Sequence, residues 1–206
     1  MKIRLAFASI LAAACTLFLA AAPAHSQADK GAAEGKSPGP GMMLVAKPEL
    51  EAPYGETVLI VMPLGDQRHV GFILNRPLEE KMANLFPDNQ PAQKVLDPVR
   101  FGGPVMSDTI FALAQAPDDP TGSSLPIFGD VKVVTHADVI NRILATTPND
   151  ARYFVGFVGW QAGELAMEIQ KGAWFVDSPD AAYLMRKDTG NMWEELARKL
   201  ASRIGT

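Results

Sequence analysis

The chain has 206 residues, enough for one domain of ordinary size, and 48% of them are hydrophobic. Its formal net charge of −4 opposes nucleic-acid binding, which depends on neutralising phosphates with lysine and arginine. The single cysteine, Cys15, lies in the first segment, so the chain beyond it can hold no disulfide, thiol nucleophile or thiolate metal site.

Residues 1–26 read as an export signal. Lys2 and Arg4 give a positive start, Leu5 to Ala22 is an apolar core, and Ala24 and Ser26 place small residues where a signal peptidase acts. Cleavage is expected before Gln27, with Ala22-Pro23-Ala24 as the alternative site. An uncleaved anchor is the competing reading, because the apolar run is marginally long enough to span a bilayer. Cys15 follows Ala12-Ala13-Ala14, a poor lipid-attachment motif, and reads as an ordinary residue of the apolar core. Loss of Lys2 and Arg4 leaves 17 basic against 23 acidic residues and takes the net charge from −4 to −6. A periplasmic or secreted location follows, with membrane contact only transient. Residues 27–40 hold Ala, Gly, Pro and charge without a large apolar residue, which reads as a flexible leader. The folded domain is expected over 41–206.

Met42 to Ala46 and Thr57 to Met62 are apolar strands, the second β-branched and strong. Pro63 to Asp66 reads as a loop joining a hairpin to a strand at Val70–Leu74. Asn75-Arg76-Pro77 closes it, since Pro77 drives Arg76 out of the helical region and Asn75 tolerates a left-handed turn. Glu79 to Phe86 predicts a short helix with Met82, Leu85 and Phe86 inward, and 87–98 a loop. Val99-Arg100-Phe101 is a strand entering Gly102-Gly103-Pro104, and Thr109–Leu113 another. Ala116–Pro126 reads as a loop, whose Asp118-Asp119 lacks the spacing of a calcium site. Val131–Val134 is a strand. Thr135-His136-Ala137-Asp138 predicts a capping box for a helix with Val139, Ile140, Ile143 and Leu144 on one face, ended by Pro148.

Tyr153 to Val158 is an apolar strand with Gly156 marking a bulge or a close backbone approach. Gly159 to Gly163 predicts a tight turn, Glu164 to Lys171 a helix capped by Gly172, and Trp174 to Val176 a further buried strand. Ser178-Pro179-Asp180 is expected to start a short helix with Pro at its first position. Asn191 and Glu194 are expected to cap the last helix, with Met192, Trp193, Leu196, Leu200 and Ile204 inward and Gly205 as its stop.

Three ordered blocks carry a resemblance. Gly71-Phe72-Ile73-Leu74-Asn75-Arg76-Pro77 is similar to a G-L-V-L-N-R-P block, and Phe101-Gly102-Gly103-Pro104-Val105 to a G-G-P-V block. Gly156-Phe157-Val158-Gly159-Trp160, Gly163-Glu164-Leu165-Ala166, Glu168-Ile169 and Gly172-Ala173-Trp174 follow in order. Together with the Gly41–Ala46 opening and Pro48, they resemble the YqgE/AlgH family of bacterial proteins over about residues 41–206. The resemblance implies an α+β fold: one compact domain with a mixed, largely antiparallel, barrel-like sheet flanked by several short helices. It departs at Ala114, where the family often has His, and at Glu164 and Ala166, where it has Gln and Glu. Some relatives have been labelled transcriptional regulators, a role that export and acidity oppose here.

The glycines at 156, 159 and 163 match neither a dinucleotide fingerprint nor a P-loop. His69 and His136 are far apart in sequence, and no hydrolase motif is present, so no catalytic residue, metal site or cofactor is expected. Glu164 and Glu168 share a helix face, and either an acid–base pair or an exposed face balanced by Lys171 would explain them. The leading reading is an exported, noncatalytic module that binds a protein or small-molecule ligand in the cell envelope. Its expected site joins Asn75, Arg76 (an anion anchor or a carbonyl cap), Gly102, Gly103, Trp160 and Glu164. An uncharacterised hydrolase or transferase is the alternative.

Overall fold

The computed structural model describes residues 41–204. The expected export signal (1–26), the leader (27–40) and the Gly205 stop lie outside those residues, as does the Ile204 side chain. The strands are β1 (Met42–Ala46), β2 (Val58–Gly65), β3 (Arg68–Ile73), β4 (Arg100–Phe101), β5 (Val105–Gln115), β6 (Leu125–Phe128), β7 (Val131–Val134), β8 (Ala151–Trp160) and β9 (Trp174–Asp177). The helices are α1 (Met82–Leu85), α2 (Ala137–Thr146), α3 (Glu164–Gln170), α4 (Ala181–Leu184) and α5 (Met192–Ile204).

The described strands form one sheet in the order β6-β7-β5-β8-β3-β2-β1-β9, with β4 beside β8. The β4–β8 pair is parallel, and every other pairing is antiparallel. The sheet curls on itself: Gly41 N–H donates to Ile127 O at 3.0 Å, tying the start of β1 to β6. This is the barrel-like α+β fold that the resemblance implied.

The central strands read as unbroken apolar runs because both of their faces are buried. Met43 and Val45 of β1, Val58 and Ile60 of β2, Val70 and Phe72 of β3 and Phe154 of β8 face the inside of the curl. Phe72 is the hub, with ring centroids 5.5 Å from Phe111 and 5.7 Å from Phe154. Met192, Leu196 and Leu200 of α5 cover this core. On the outer face, Leu44, Leu59, Val61 and Ile73 meet Leu165 of α3 and the rings of Trp160 and Trp174. Farther along the outer face, Ile110, Ala112, Tyr153 and Val155 meet Val139, Ile140, Ile143 and Leu144 of α2. The apolar stripe read from the α2 sequence is the one that packs.

β8 serves all three cores because it changes phase at Gly156. Before it, Phe154 faces inward and Tyr153 and Val155 face α2; after it, Phe157 packs inward and Val158 and Trp160 face α3. One residue in left-handed backbone does this, since side chains otherwise alternate with period two. Gly156 takes φ 67°, and the β5–β8 register slips between Val105 and Ile110 at the same place. A methyl group on Gly156 would collide with Gly103 O and stand 2.8 Å from Val105 O. The close-approach reading of this glycine therefore holds; the surplus residues of the irregularity, 106–109, lie in β5 opposite Gly156.

Several expectations need correction. β2 continues through Pro63 to a bulge at Gly65, with the hairpin turn at Asp66 and Gln67 in left-handed backbone. β5 starts at Val105 rather than Thr109, and Leu125 and Pro126, expected to end the loop, open a strand that runs to Phe128, because β7 supplies its ladder. A 3₁₀ turn at Pro91–Lys94 interrupts the expected 87–98 loop. The α2 cap is His136, whose Nδ1 accepts the Asp138 N–H at 3.3 Å, not Thr135. Asp180 rather than Ser178 caps α4, leaving Pro179 outside the helix. β8 runs through Gly159 and Trp160, so the tight turn begins at Gln161.

Gly156→Ala is expected to cost about 3 kcal/mol or more, combining left-handed strain with a clash against fixed backbone. Gly163→Ala, also at positive φ but with no atom within 4 Å, should cost only about 1 kcal/mol. Denaturant midpoints of the two variants check the difference.

Candidate functional site

The first two motif blocks meet at one backbone junction. Asn75 Oδ1 accepts the Val58 N–H at 2.9 Å, and Asn75 Nδ2 donates to Glu56 O at 2.9 Å, so this side chain locks the entrance to β2. Arg76 Nη2 donates to Gly55 O at 3.3 Å, in keeping with a carbonyl cap. Ile73 N–H donates to Gly102 O at 3.1 Å, and Phe101 N–H to Arg76 O at 2.8 Å. Gly102 N–H donates to Val155 O at 2.8 Å. Side chains on Gly102 or Gly103 would run into the backbone of Gly156 or Phe157. The glycine pair is thus pressed against β8 rather than opened to a ligand.

The third block builds a different arrangement at the far end of β3 and β8. Trp160 closes β8, Trp174 opens β9, and α3 runs between them. Glu168 Oε2 accepts both indole N–H groups, from Trp160 at 3.0 Å and from Trp174 at 2.8 Å. Trp160 is 5% exposed and its ring lies over Gly71, where a Cβ would stand 2.9 Å from Cζ3. Expected to face a partner, Trp160 instead faces Glu168 and the outer core. Glu164 is exposed, and its Oε2 accepts the Gln161 N–H at 2.6 Å, fastening the turn before α3. The two carboxylates of α3 therefore do separate jobs, and no ion pair joins Glu168 to Lys171 among the described residues. Ala166 is exposed on α3, and Ala114 is buried in β5 opposite Ala151.

The structure brings Asn75, Arg76, Gly102 and Gly103 together and sets Trp160 and Glu164 apart from them. Tyr54 lies between the two groups, its ring 6.5 Å from that of Trp174. Burial and the Glu168 charge raise its hydroxyl pKa, and the Arg76 charge opposes them.

Two arginines that the sequence reading passed over hold the C-terminal part of the chain. Arg100, 1% exposed, donates through Nη2 to the carbonyls of Arg186 (2.6 Å) and Lys187 (3.1 Å). Its Nη1 is buried without a partner among the described residues. Burial and the neighbouring Arg152 pull the Arg100 guanidinium down to about 10 against the opposing pull of Asp97. Arg152 is 5% exposed and donates to Met185 O through Nε (2.9 Å) and Nη2 (2.7 Å), and to Asp97 Oδ2 through Nη1 (3.1 Å). A lone arginine inside an apolar strand was the available signal. Glu195 of α5 completes the clasp by accepting from Tyr183 Oη (2.7 Å) and Arg186 Nη1 (2.7 Å). Among the described residues no group of His, Cys, Asp and Glu is gathered to hold a metal ion.

The family described as AlgH-like matches residues 43–205. The chain belongs to the AlgH-like family. A UPF0301 protein of Bacteroides fragilis is 28% identical over 173 residues, covering 82% of this chain and 86% of that protein. One from Chlorobium limicola is 30% identical over 163 residues, covering 77% and 85%. The solution structure of the AlgH protein from Pseudomonas aeruginosa superposes with a TM-score of 0.64 at 27% identity, covering 88% of this chain and 94% of that one. A crystal structure from Corynebacterium diphtheriae shares the fold, with a TM-score of 0.62 at 20% identity over 79% and 87% of the two chains. In this AlgH-like chain, the motif side chains at 75, 76, 164 and 168 all bond within the domain.

Glu168→Ala strands two indole N–H groups and is expected to cost about 2–4 kcal/mol, with Glu168→Gln costing less because one acceptor remains. Tryptophan-fluorescence denaturation reads both. Arg152→Met leaves Met185 O without its donor and Asp97 with only Lys187, 3.9 Å away. It should accelerate amide hydrogen exchange over 185–191 while leaving β1–β3 protected.

Proposed function

We propose that this AlgH-like chain is an exported, noncatalytic binding module of the bacterial cell envelope. One observation carries the reading: Asn75, Arg76 and Glu168 direct their polar atoms at the domain's own backbone and indoles. Their chemistry goes into holding β2, β8, β9 and the 55–56 turn in place, which is what a rigid binding platform needs. Export is supported by Lys2 and Arg4 ahead of the apolar run from Leu5 to Ala22, and by Ala24 and Ser26 before Gln27. The acidity of the chain favours a protein or small-molecule ligand over nucleic acid.

Two measurements test it. Residues 1–40 fused to alkaline phosphatase should give an active enzyme, and the processed chain recovered from cells expressing the whole sequence should begin at Gln27. An inactive fusion overturns the export claim. Envelope components bound saturably by the full-length protein should elute chemically unchanged. An altered, turned-over ligand overturns the noncatalytic claim.

A further inference from the structure

β9 is an edge strand with a definable outer side. Lys47 N–H donates to Ala173 O at 3.0 Å, one step beyond the Ala46–Trp174 pair. Bonded and non-bonded pairs alternate in an antiparallel ladder. Val45–Phe175 and Met43–Asp177 are therefore the bonded pairs. The backbone N–H and C=O groups of Trp174 and Val176 point away from β1, and among the described residues nothing pairs with them. β9 contains no proline, lysine or bulge, and Val176 is 47% exposed; what limits this edge is its four-residue length and the charges of Lys47, Asp177 and Arg203 along it.

A groove of about 220 Å³ runs beside this edge, lined by the four β9 residues together with Lys47, Leu200 and Arg203. Four consecutive strand residues line it because it follows the strand's edge rather than one face. The volume is below the range of about 300–1,000 Å³ typical of small-molecule sites, and suits one side chain of an added strand. Charge sets the direction. Lys47 Nζ lies 5.3 Å from the Phe175 ring centroid and 3.6 Å from where a Cβ on Gly172 would stand, so it marks the N-terminal end of β9. No carboxylate among the described residues pairs with it. At the other end stands Asp177, with Arg203 at 3.3 Å.

We propose that the outer edge of β9 accepts an extended peptide of a partner protein, added antiparallel, with an acidic carboxyl-terminal end at Lys47. An antiparallel strand brings its carboxyl terminus to the beginning of β9, where Lys47 is; a parallel one brings its amino terminus there. Backbone bonds to Trp174 and Val176 supply the pairing, and the groove between Phe175 and Leu200 takes one apolar side chain. This inference rests on the binding-module reading and names its surface and ligand class. A purified-peptide titration can fail while envelope capture succeeds, and the reverse, so the two failures are distinguishable.

The probe is the N-acetylated hexapeptide Lys-Thr-Val-Ser-Val-Asp with a free carboxyl terminus. Its comparator is the C-terminal amide with Asn in place of Asp. Added to the full-length chain and followed by amide NMR and hydrogen exchange, the acid should shift Lys47 and residues 174–177 saturably and protect the Trp174 and Val176 amides. It should bind about fivefold more tightly than the comparator, the scale of one partly exposed ion pair. Lys47→Gln should erase that preference, and Val176→Pro, tolerable where an N–H faces solvent, should abolish binding without lowering the thermal midpoint. Absence of saturable shifts, shifts elsewhere, equal binding of the two peptides, or binding untouched by both variants overturns the proposal. A concentration-dependent dimer that already protects these amides assigns the edge to a second copy and overturns it as well.

Discussion

The close approach of β4, β5 and β8 backbones at Gly102, Gly103 and Gly156 is the constraint on which the rest of this domain depends. A strand with strict alternation can serve one inner and one outer neighbour. By slipping one residue at Gly156, β8 keeps Phe154 and Phe157 both inside the curl while its outer side passes from α2 to α3. The slip needs a left-handed residue, and the space it leaves is filled by carbonyls of the chain that follows β4. Three glycines distant in sequence are thus one structural feature, and their cost in chain entropy is offset by three cores assembled on one strand.

The same logic accounts for the polar residues of the family blocks. Asn75 stands in for a ladder partner at the start of β2, and Arg76 holds the turn before it. Glu168 satisfies two indole N–H groups that would otherwise be buried and unpaired, each such omission costing about 1–3 kcal/mol. Arg100 and Arg152 do for the 185–187 carbonyls what no regular element does. Buried charge is tolerated there because most of its donors find acceptors.

Much of the fold was legible because the strands are apolar on both faces and the helices carry clear stripes. β1, β2, β3, β7, α2, α3 and α5 follow from those patterns. β6 was not legible: Leu125–Phe128 is short and contains a proline, and it becomes a strand only because β7 lies alongside. The start of β5 was hidden by Ser107 and Asp108, which sit where the β5–β8 register slips. The candidate site was partly legible. Asn75, Arg76 and the glycine pair do meet, since their blocks flank strands that share β8 as neighbour. Trp160 was misplaced because a tryptophan between glycines looks like a turn residue, whereas its acceptor, Glu168, comes from the next helix. Arg100 and Arg152 escaped notice because their partners are carbonyls far along the chain, invisible to any local pattern.

β1 has a temporal consequence. It is the first described strand, yet it lies between β2 and β9, and Trp193 of α5 donates to Ala46 O at 2.8 Å across a separation of 147 residues. A ribosome therefore delivers β1 long before its second neighbour and its covering helix exist. Until the end of α5 emerges, the curl has an open flank and its inner core lacks Met192, Leu196 and Leu200. Such long-range closure makes the domain complete itself as a unit, once β9 and α5 are available to β1. A nascent chain in that state is unfinished by design of its topology, and β1 and α5 become ordered together.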